Sequence, residues 1–284
     1  MYGSRTGPLE CSSGGTCLLP NGRGCSLVKF LRSVVRAAKA TAIFLFGALE
    51  LLIKRPATRQ QRAEWLHRFS LRVVRSMGIG MRIEGKFPER GVVVSNHMGY
   101  LDIMVFAAQH RCVFVAKSDL ADVPLIGWMT TMSGTVYVEP GRGGSAIRAK
   151  TGLVEAADAG LAVVIFPEGT TSDGSAVLDF RTGALAMMLE AGQQVTAAYI
   201  SYRLTEDNGP GVTVGNNVAF WGDDARLFHH IFGLLALRGI EVCVRIADSP
   251  IAFTSGPLNR KQAAIEARTA VVGLGGVLDA VSTG

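Results

Sequence analysis

Two short runs of apolar, mostly β-branched residues constrain the fold most strongly, because each run ends in a polar turn. The first is 92–94, followed by the polar segment 95–102, and the second is 161–166, followed by 167–174. Short continuous apolar runs are typical of strands that are buried on both faces, as in parallel sheets. The ligand crevice of such a sheet lies beyond the carboxyl ends of its strands. We therefore expect an α/β fold in which the two polar turns meet at one edge of the sheet.

The chain beyond residue 80 supports this fold class, because strand-like and helix-like patterns alternate along it. Such alternation predicts a layered sheet flanked by helices. We predict strands near 81–86, 91–95, 112–116, 135–138, 161–166, 195–200, 211–215 and 240–247. We predict helices near 100–109, 124–131, 144–158, 182–192, 224–238 and 260–275.

Positive charge is concentrated at the amino end. Residues 1–86 hold 15 Lys and Arg against 4 Asp and Glu, a balance of +11, whereas the remainder holds 14 against 19, a balance of −5. The basic residues border long apolar runs, and no zinc knuckle, aromatic platform or helix-turn-helix pattern accompanies them. The distribution predicts an anionic membrane surface as a partner and no nucleic acid.

Residues 27–80 are predicted to form an amphipathic two-helix membrane anchor. In the first helix, basic residues share one face and are followed by the apolar stretch 40–53, which Glu50 interrupts. That stretch is about 20 Å long as a helix, against a hydrocarbon core of roughly 30 Å, so we expect immersion in one leaflet. A buried core helix is the alternative. The basic face comprises Lys29, Arg32, Arg36 and Lys39.

The second helix of the pair, 60–77, has an apolar aromatic sector opposite a basic one. This pattern favours an interfacial anchor, and packing of the apolar sector inside the protein is the alternative. The apolar sector comprises Trp65, Leu66, Phe69 and Val73, and the basic sector comprises Arg68, Arg72 and Arg75.

The rest of the domain organisation follows from composition. Residues 1–26 are rich in Gly, Ser and Cys without periodicity, which predicts a disordered tail, and 81–284 form the α/β domain. The five cysteines are odd in number and their spacings fit no metal site, so we expect a reducing compartment. We expect no metal and no cofactor.

The polar turn after the first apolar run carries the candidate catalytic residues. His97 is followed by Gly99 and, five residues after the histidine, by Asp102. We expect Gly99 to let the chain bend so that Asp102 reaches the His97 ring. A carboxylate on one imidazole nitrogen fixes the tautomer and leaves the other nitrogen free to take a proton from a hydroxyl. The pattern predicts a general base and its orienting carboxylate.

The two turns together resemble a known family. Asn96-His97 through Asp102, followed by Phe166-Pro167-Glu168-Gly169-Thr170, is similar to the glycerophospholipid acyltransferases of the 1-acylglycerol-3-phosphate acyltransferase type, over roughly residues 30 to 255. The resemblance implies transfer of a fatty acyl group from acyl-CoA or acyl-carrier-protein to the free hydroxyl of a lysolipid, with lysophosphatidate as the first expectation. It implies membrane lipid biosynthesis, and we expect the cytoplasmic face of the inner membrane.

In this family the Glu-Gly-Thr segment is assigned to binding of the acyl acceptor, usually with an arginine after the threonine, where this chain has Thr171. Phosphate is normally met by Arg or Lys, so Arg142 and Arg181 are candidates to replace that arginine. Lys117 matches a lysine that is common in the family. The substrate-binding residues expected from the resemblance are Asn96, Lys117, Arg142, Glu168, Gly169, Thr170, Thr171 and Arg181. Surface cations and an ordinary helix cap are the alternatives for this set.

Several functions stay open at this stage. The displaced arginine leaves lyso-ornithine lipid or another lysolipid as an alternative acceptor. A lipid or thioester hydrolase, in which the dyad activates water, and a lipid-binding protein without catalysis are the alternatives of another class. The absence of a G-x-S-x-G pattern disfavours a serine hydrolase. Gly141, Gly143 and Ala146 imitate a dinucleotide fingerprint, but Pro140 breaks its strand-to-glycine junction.

Overall fold

The computed structural model describes residues 22–123, 125–138, 143–220, 227–254 and 259–276. Its strands are β1 (Gly80–Glu84), β2 (Gly91–Val94), β3 (Cys112–Lys117), β4 (Val136–Val138), β5 (Ala162–Ile165), β6 (Val195–Leu204) and β7 (Ile240–Ile246). They form one sheet in the order β1-β7-β6-β2-β5-β3-β4. The expected α/β class is confirmed.

The sheet has a parallel centre. β6, β2, β5, β3 and β4 run in one direction, whereas β7 pairs antiparallel with β6 and β1 pairs parallel with β7. Every residue of β2 and β5 is buried, as the continuous apolar runs predict for strands covered on both faces. The carboxyl ends of β2 and β5 therefore lie side by side at one edge of the sheet.

Helices cover both faces of the sheet. They are α1 (Gly22–Lys54), α2 (Arg59–Met77), α3 (Tyr100–Gln109), α4 (Ile126–Met132), α5 (Gly143–Asp158), α6 (Gly183–Glu190), α7 (Val214–Asn217), α8 (Leu227–Ala236) and α9 (Arg260–Gly275), with a 3₁₀ turn at Ser118–Asp122. Alternate residues of β2 point to opposite faces. Val93 packs with residues of α1, α2 and α3, and Val92 and Val94 pack with residues of α5, α6 and α9.

The strand predicted at 211–215 is wrong. The segment instead leads into the short helix α7, because the Thr213 hydroxyl accepts the backbone N–H of Asn216 and so caps a helical turn. Of the predicted tail, 1–26, the part up to residue 21 is outside the described residues. The last residues of the predicted tail belong to α1.

The apolar sector of α2 is inside the protein, so the alternative of internal packing is the correct one. Trp65 and Phe69 are buried and stack on each other with ring centroids 5.1 Å apart. Phe44 of α1 makes an edge contact with Phe69. On the other side His67 Nδ1 lies 2.7 Å from the carbonyl oxygen of Ala107 in α3. The aromatic residues of α2 are therefore covered by α1 and α3 and do not face a lipid surface.

Charged residues join α1 to its neighbours. Glu50 bonds Arg72 of α2 and Lys54 of its own helix, each at 2.6 Å. Arg32 and Arg36 donate to the carbonyl oxygens at the end of α8, those of residues 235–237. These two arginines are therefore engaged within the protein, whereas Lys39 is exposed. In the described part of the chain, no helix has both the length and the apolar character required to cross a bilayer.

Candidate active site

The site is built from two turns that follow adjacent parallel strands. The histidine turn (residues 95–99) follows β2, and the glutamate turn (residues 166–175) follows β5. Val94 pairs with Ile165, so the two strands end at the same level. The backbone N–H of Ser172 then donates to the carbonyl oxygen of His97 at 2.9 Å. The two polar turns expected to meet at one sheet edge are thus hydrogen-bonded to each other.

His97 and Asp102 form the expected contact. The Nδ1 atom of His97 lies 2.7 Å from Oδ2 of Asp102, and the carboxylate is fully buried whereas the imidazole side chain is 16% exposed. The ring stacks on Phe166, with centroids 4.0 Å apart and planes at 11°. A carboxylate on Nδ1 selects the tautomer in which that nitrogen carries the proton. Nε2 is then the nitrogen with a lone pair available to a substrate.

The Asp102 carboxylate is satisfied by four donors. Oδ2 accepts the backbone N–H groups of Met98 at 2.6 Å and Gly99 at 3.0 Å as well as His97, and Oδ1 accepts the hydroxyl of Tyr202 at 2.6 Å. Asp102 also lies in the first turn of α3, where the helix dipole favours negative charge. These interactions offset the cost of burying a charge.

Gly99 has a different role from the one expected. Its φ of 162° is extended backbone that any residue can adopt, so the turn does not use glycine's conformational freedom. A Cβ atom at this position would lie 3.0 Å from the backbone nitrogen of Phe220 and 3.3 Å from its Cβ. Glycine is therefore favoured by the close approach of the segment that ends at Phe220, whose N–H donates to the carbonyl oxygen of Met98.

Tyr202 is the site residue that sequence reasoning missed. Burial, and then the adjacent Asp102 charge, hold the pKa of its hydroxyl well above the usual value, so Tyr202 is a proton donor to the carboxylate at all ordinary pH values. It lies on β6, one hundred positions from Asp102 along the chain. No local pattern links the two residues, because the link depends on β6 pairing beside β2.

Glu168 is buried under the histidine turn rather than open to a headgroup. It is 2% exposed, and its Oε1 accepts the backbone N–H of His97 at 3.1 Å. Burial raises its pKa to about 7, although the N–H groups of His97 and Leu178 act in the opposite direction. Among the described residues, its buried Oε2 has no hydrogen-bond partner of acceptable geometry, so the Leu178 amide is near but not bonded. The carboxyl group thus supports the backbone that carries the base.

The side chain of Asn96 bonds the backbone of a neighbouring strand, whereas the resemblance implied a contact with substrate. Its side chain is buried; the amide nitrogen donates to the carbonyl oxygen of Ile200, and its oxygen accepts the N–H of the same residue, both at 2.9 Å. This pair of bonds fastens the end of β2 to β6. Both ends of the amide are used in that link.

The remaining predicted residues surround the glutamate turn to different degrees. Arg181 is exposed and packs on Gly169, where a Cβ atom would lie 2.7 Å from its Cδ; Gly169 also has a positive φ of 65°. Thr170 is exposed and Thr171 half-buried. Lys117 is exposed at the carboxyl end of β3. Arg142 lies outside the described residues.

A family model described as acyltransferase matches residues 79–201. A lyso-ornithine lipid O-acyltransferase from Brucella abortus is 32% identical over 237 residues, which cover 80% of this chain and 87% of that protein. A second protein of that name, from Pseudomonas aeruginosa, is 33% identical over 215 residues, which cover 75% and 78%.

Similarity to a solved structure supports the same fold. The crystal structure of the 1-acyl-sn-glycerophosphate acyltransferase from Thermotoga maritima matches with a TM-score of 0.59 and 18% identity. The match covers 90% of this chain and 97% of that one. At this level of sequence identity, the likeness shows a similar fold and nothing more.

The raised pKa of Glu168 leads to a prediction about stability. Its value of about 7 in the folded protein lies above the ordinary 4.5, so its stabilising contribution is complete below about pH 4.5 and is lost as the pH rises through about 7. Glu168→Gln keeps an oxygen for the His97 N–H but cannot ionise. Urea unfolding at about pH 5 and pH 8 should show the parent losing stability relative to the variant. Parallel pH dependence of the two proteins would contradict the assignment.

Proposed function

The chain belongs to the same acyltransferase family as its relatives that acylate lysolipids, and we propose that it esterifies the free hydroxyl of a lyso-ornithine lipid. The resemblance read from the two motifs is confirmed by the family model and by the relatives. The protein is an acyltransferase with a lysolipid acceptor and an acyl donor. The identity of the acceptor and of the donor is the proposal.

The observation that carries the proposed mechanism is the bond between His97 Nδ1 and the buried Asp102 carboxylate. His97 Nε2 takes the proton of the acceptor hydroxyl while the hydroxyl oxygen attacks the thioester carbonyl carbon. The tetrahedral intermediate collapses with cleavage of the carbon–sulfur bond, and the imidazolium returns the proton to the leaving thiolate. Asp102 holds the ring and stabilises the imidazolium that forms between the two steps.

The donor in this proposal is a fatty acyl thioester of CoA or of acyl-carrier-protein. Direct attack by the acceptor requires no covalent acyl-enzyme, and both donors present the same thioester carbonyl to the acceptor oxygen. Lys117, at the sheet edge that carries His97, is our candidate for contact with an anionic part of a substrate.

The choice of acceptor rests on the relatives and on charge. The two curated relatives reported above, which align with three quarters or more of this chain, are both named lyso-ornithine lipid O-acyltransferases. Ornithine carries a carboxylate as well as an ammonium group, and Arg181 on Gly169 is a suitable partner for the carboxylate. The same arginine could meet a phosphate, so lysophosphatidate is the second candidate.

We further propose that the protein works at a membrane surface, with residues 27–80 as the associating unit and 81–284 as the catalytic domain. α1 exposes large apolar side chains along its length, and α8 adds Phe228, which is 76% exposed, and Phe232, whose ring lies 6.4 Å from that of Phe30. The net charge of +11 in residues 1–86 favours anionic lipid on the cytoplasmic face of the inner membrane. The exposed apolar residues of α1 are Phe30, Leu31, Val34, Val35, Leu45, Phe46, Leu49, Leu52 and Ile53.

The experiment that tests the proposed function is incubation with an acyl thioester and a panel of lysolipids, followed by mass measurement of the products. An acylated lyso-ornithine lipid, formed with stoichiometric release of thiol, is the expected result. Release of free fatty acid at the same rate with and without acceptor would identify a hydrolase instead. Acylation of lysophosphatidate alone would establish the second candidate.

The general base gives a prediction about turnover. His97→Ala removes the base and should lower kcat by roughly 10² to 10⁴, with thermal unfolding close to that of the parent because the side chain lies at a polar turn. A double variant with Asp102→Asn should be little slower than the slower single variant, since the two groups act as a unit. A folded His97→Ala protein that keeps more than about a tenth of the parent kcat would refute the mechanism.

Tyr202 gives a second prediction about turnover. Tyr202→Phe leaves Asp102 Oδ1 buried without a partner, at a cost of roughly 1–3 kcal/mol, and should lower kcat about tenfold while the KM for the acyl donor is unchanged. Tyr137→Phe is the matched control, because it deletes a hydroxyl that bonds Thr130 at 2.7 Å on the edge strand β4. Equal effects of the two substitutions on kcat would show that Tyr202 acts only through general stability.

Membrane association gives a prediction about vesicle binding. Replacement of Leu45, Leu49 and Leu52 by serine removes apolar area from the exposed face of α1 and should reduce the fraction that sediments with anionic vesicles. Serine at Ile147 and Ile265, which are 71% and 58% exposed on α5 and α9, is the control. Equal sedimentation of the two variants and the parent would contradict the proposed orientation.

A further inference from the structure

A cavity lies directly beside the catalytic dyad. It has a volume of about 430 Å³ and is bounded by the end of the glutamate turn, by β6 and by the start of α7. Two of its lining residues belong to the catalytic arrangement: Met98 follows the base, and Tyr202 donates to Asp102 Oδ1. The cavity therefore borders residues that hold the dyad in place.

The described lining of this cavity carries negative charge and no positive charge. Asp173 is its carboxylate, and no lysine, arginine or histidine belongs to the lining that the structure describes. The hydroxyl and the N–H of Ser175 hold the pKa of Asp173 below its usual value, so the side chain is anionic at neutral pH. The lining also includes five residues that carry hydroxyl groups, of which Tyr202 is bonded to Asp102 and Thr213 to Asn216: Ser175, Tyr199, Ser201, Tyr202 and Thr213.

Asp173 is held at a defined place relative to the base. Its Oδ1 accepts the N–H of Ser175 at 2.9 Å and the Ser175 hydroxyl at 2.6 Å, and the preceding residue bonds the carbonyl oxygen of His97. Gly174 has a positive φ of 83°, and a Cβ atom there would lie 2.2 Å from Cε of Met98. The carboxylate thus belongs to a turn that is bonded to, and packed closely on, the histidine turn.

This environment discriminates between the two candidate acceptors. A phosphate monoester in the cavity would face a carboxylate, and the described lining holds no cation that would compensate, which is unfavourable. An ammonium group would meet one carboxylate, in a cavity whose lining also includes residues with hydroxyl groups. The charge of the lining therefore favours a cationic headgroup over a phosphate.

We propose that this cavity binds the side-chain ammonium of the ornithine headgroup, with Asp173 as its counter-ion and a determinant of acceptor specificity. The proposal rests on the lysolipid acyl transfer proposed above, and it assigns the recognition of the headgroup to a carboxylate in the glutamate turn. The ornithine carboxylate remains for Arg181, which packs on Gly169 in the same turn and does not line the cavity.

The test compares the KM values of two acceptors in one protein variant. Asp173→Asn keeps the oxygen that accepts from Ser175 and removes the charge. It should raise the KM for lyso-ornithine lipid about fivefold, the effect of one partly exposed ion pair, and leave the KM for the acyl donor unchanged. The KM for lysophosphatidate should stay the same or fall. Asp179→Asn is the control, because this fully exposed carboxylate lies in the segment that follows and carries the same charge.

A chemically modified acceptor tests whether the effect of Asp173→Asn depends on the ammonium group. Lyso-ornithine lipid that is acetylated on its side-chain amine has no cation, so the parent and Asp173→Asn should have the same KM for it. Provided that the parent enzyme is active, two results for Asp173→Asn would overturn the proposal. One is an unchanged KM for lyso-ornithine lipid, and the other is an equal rise in the KM values for lyso-ornithine lipid and lysophosphatidate. A parent that acylates lysophosphatidate only would also overturn it, whereas a parent inactive on every lysolipid would overturn the proposed function as well.

Discussion

The burial of one ionised carboxylate determines the arrangement of the whole site. Asp102 is fully buried, and a buried charge is tolerated only when donors surround it. The donors come from two parts of the chain, the histidine turn and β6, and the carboxylate itself lies in the first turn of α3. Because these parts must converge on one side chain, the end of β2, the start of α3 and β6 are held together, and His97 is oriented as a consequence.

The second turn of the site depends on the same core. β5 lies beside β2, and its glutamate turn supports the histidine turn through the bonds from the His97 N–H to Glu168 and from Ser172 to the His97 carbonyl oxygen. The proposed acyl transfer uses the base, its carboxylate and two substrates. In our proposal, Asp173 of the glutamate turn and Arg181, which packs on Gly169, supply opposite charges to the two charged groups of a zwitterionic headgroup.

Local sequence patterns predicted the layers of the fold and the His97 and Asp102 contact, because buried strands and the turn between them are set by short-range features. They did not predict Tyr202, which meets Asp102 only because β6 pairs with β2. They also failed for the aromatic sector of α2, since an amphipathic pattern identifies an apolar face but not whether protein or lipid covers it. The buried position of Glu168 was missed for a similar reason: a carboxyl in a polar turn gives no sign of facing inward.

The proposed mechanism requires Asp102 to fix the His97 ring with its proton on Nδ1, so that Nε2 is the base. ¹⁵N NMR of the protein labelled at histidine measures this directly at a pH where the ring is neutral. The account predicts a protonated Nδ1 in a strong hydrogen bond and an unprotonated Nε2 for His97, and loss of that signature in Asp102→Asn. A neutral ring with its proton on Nε2 would contradict it.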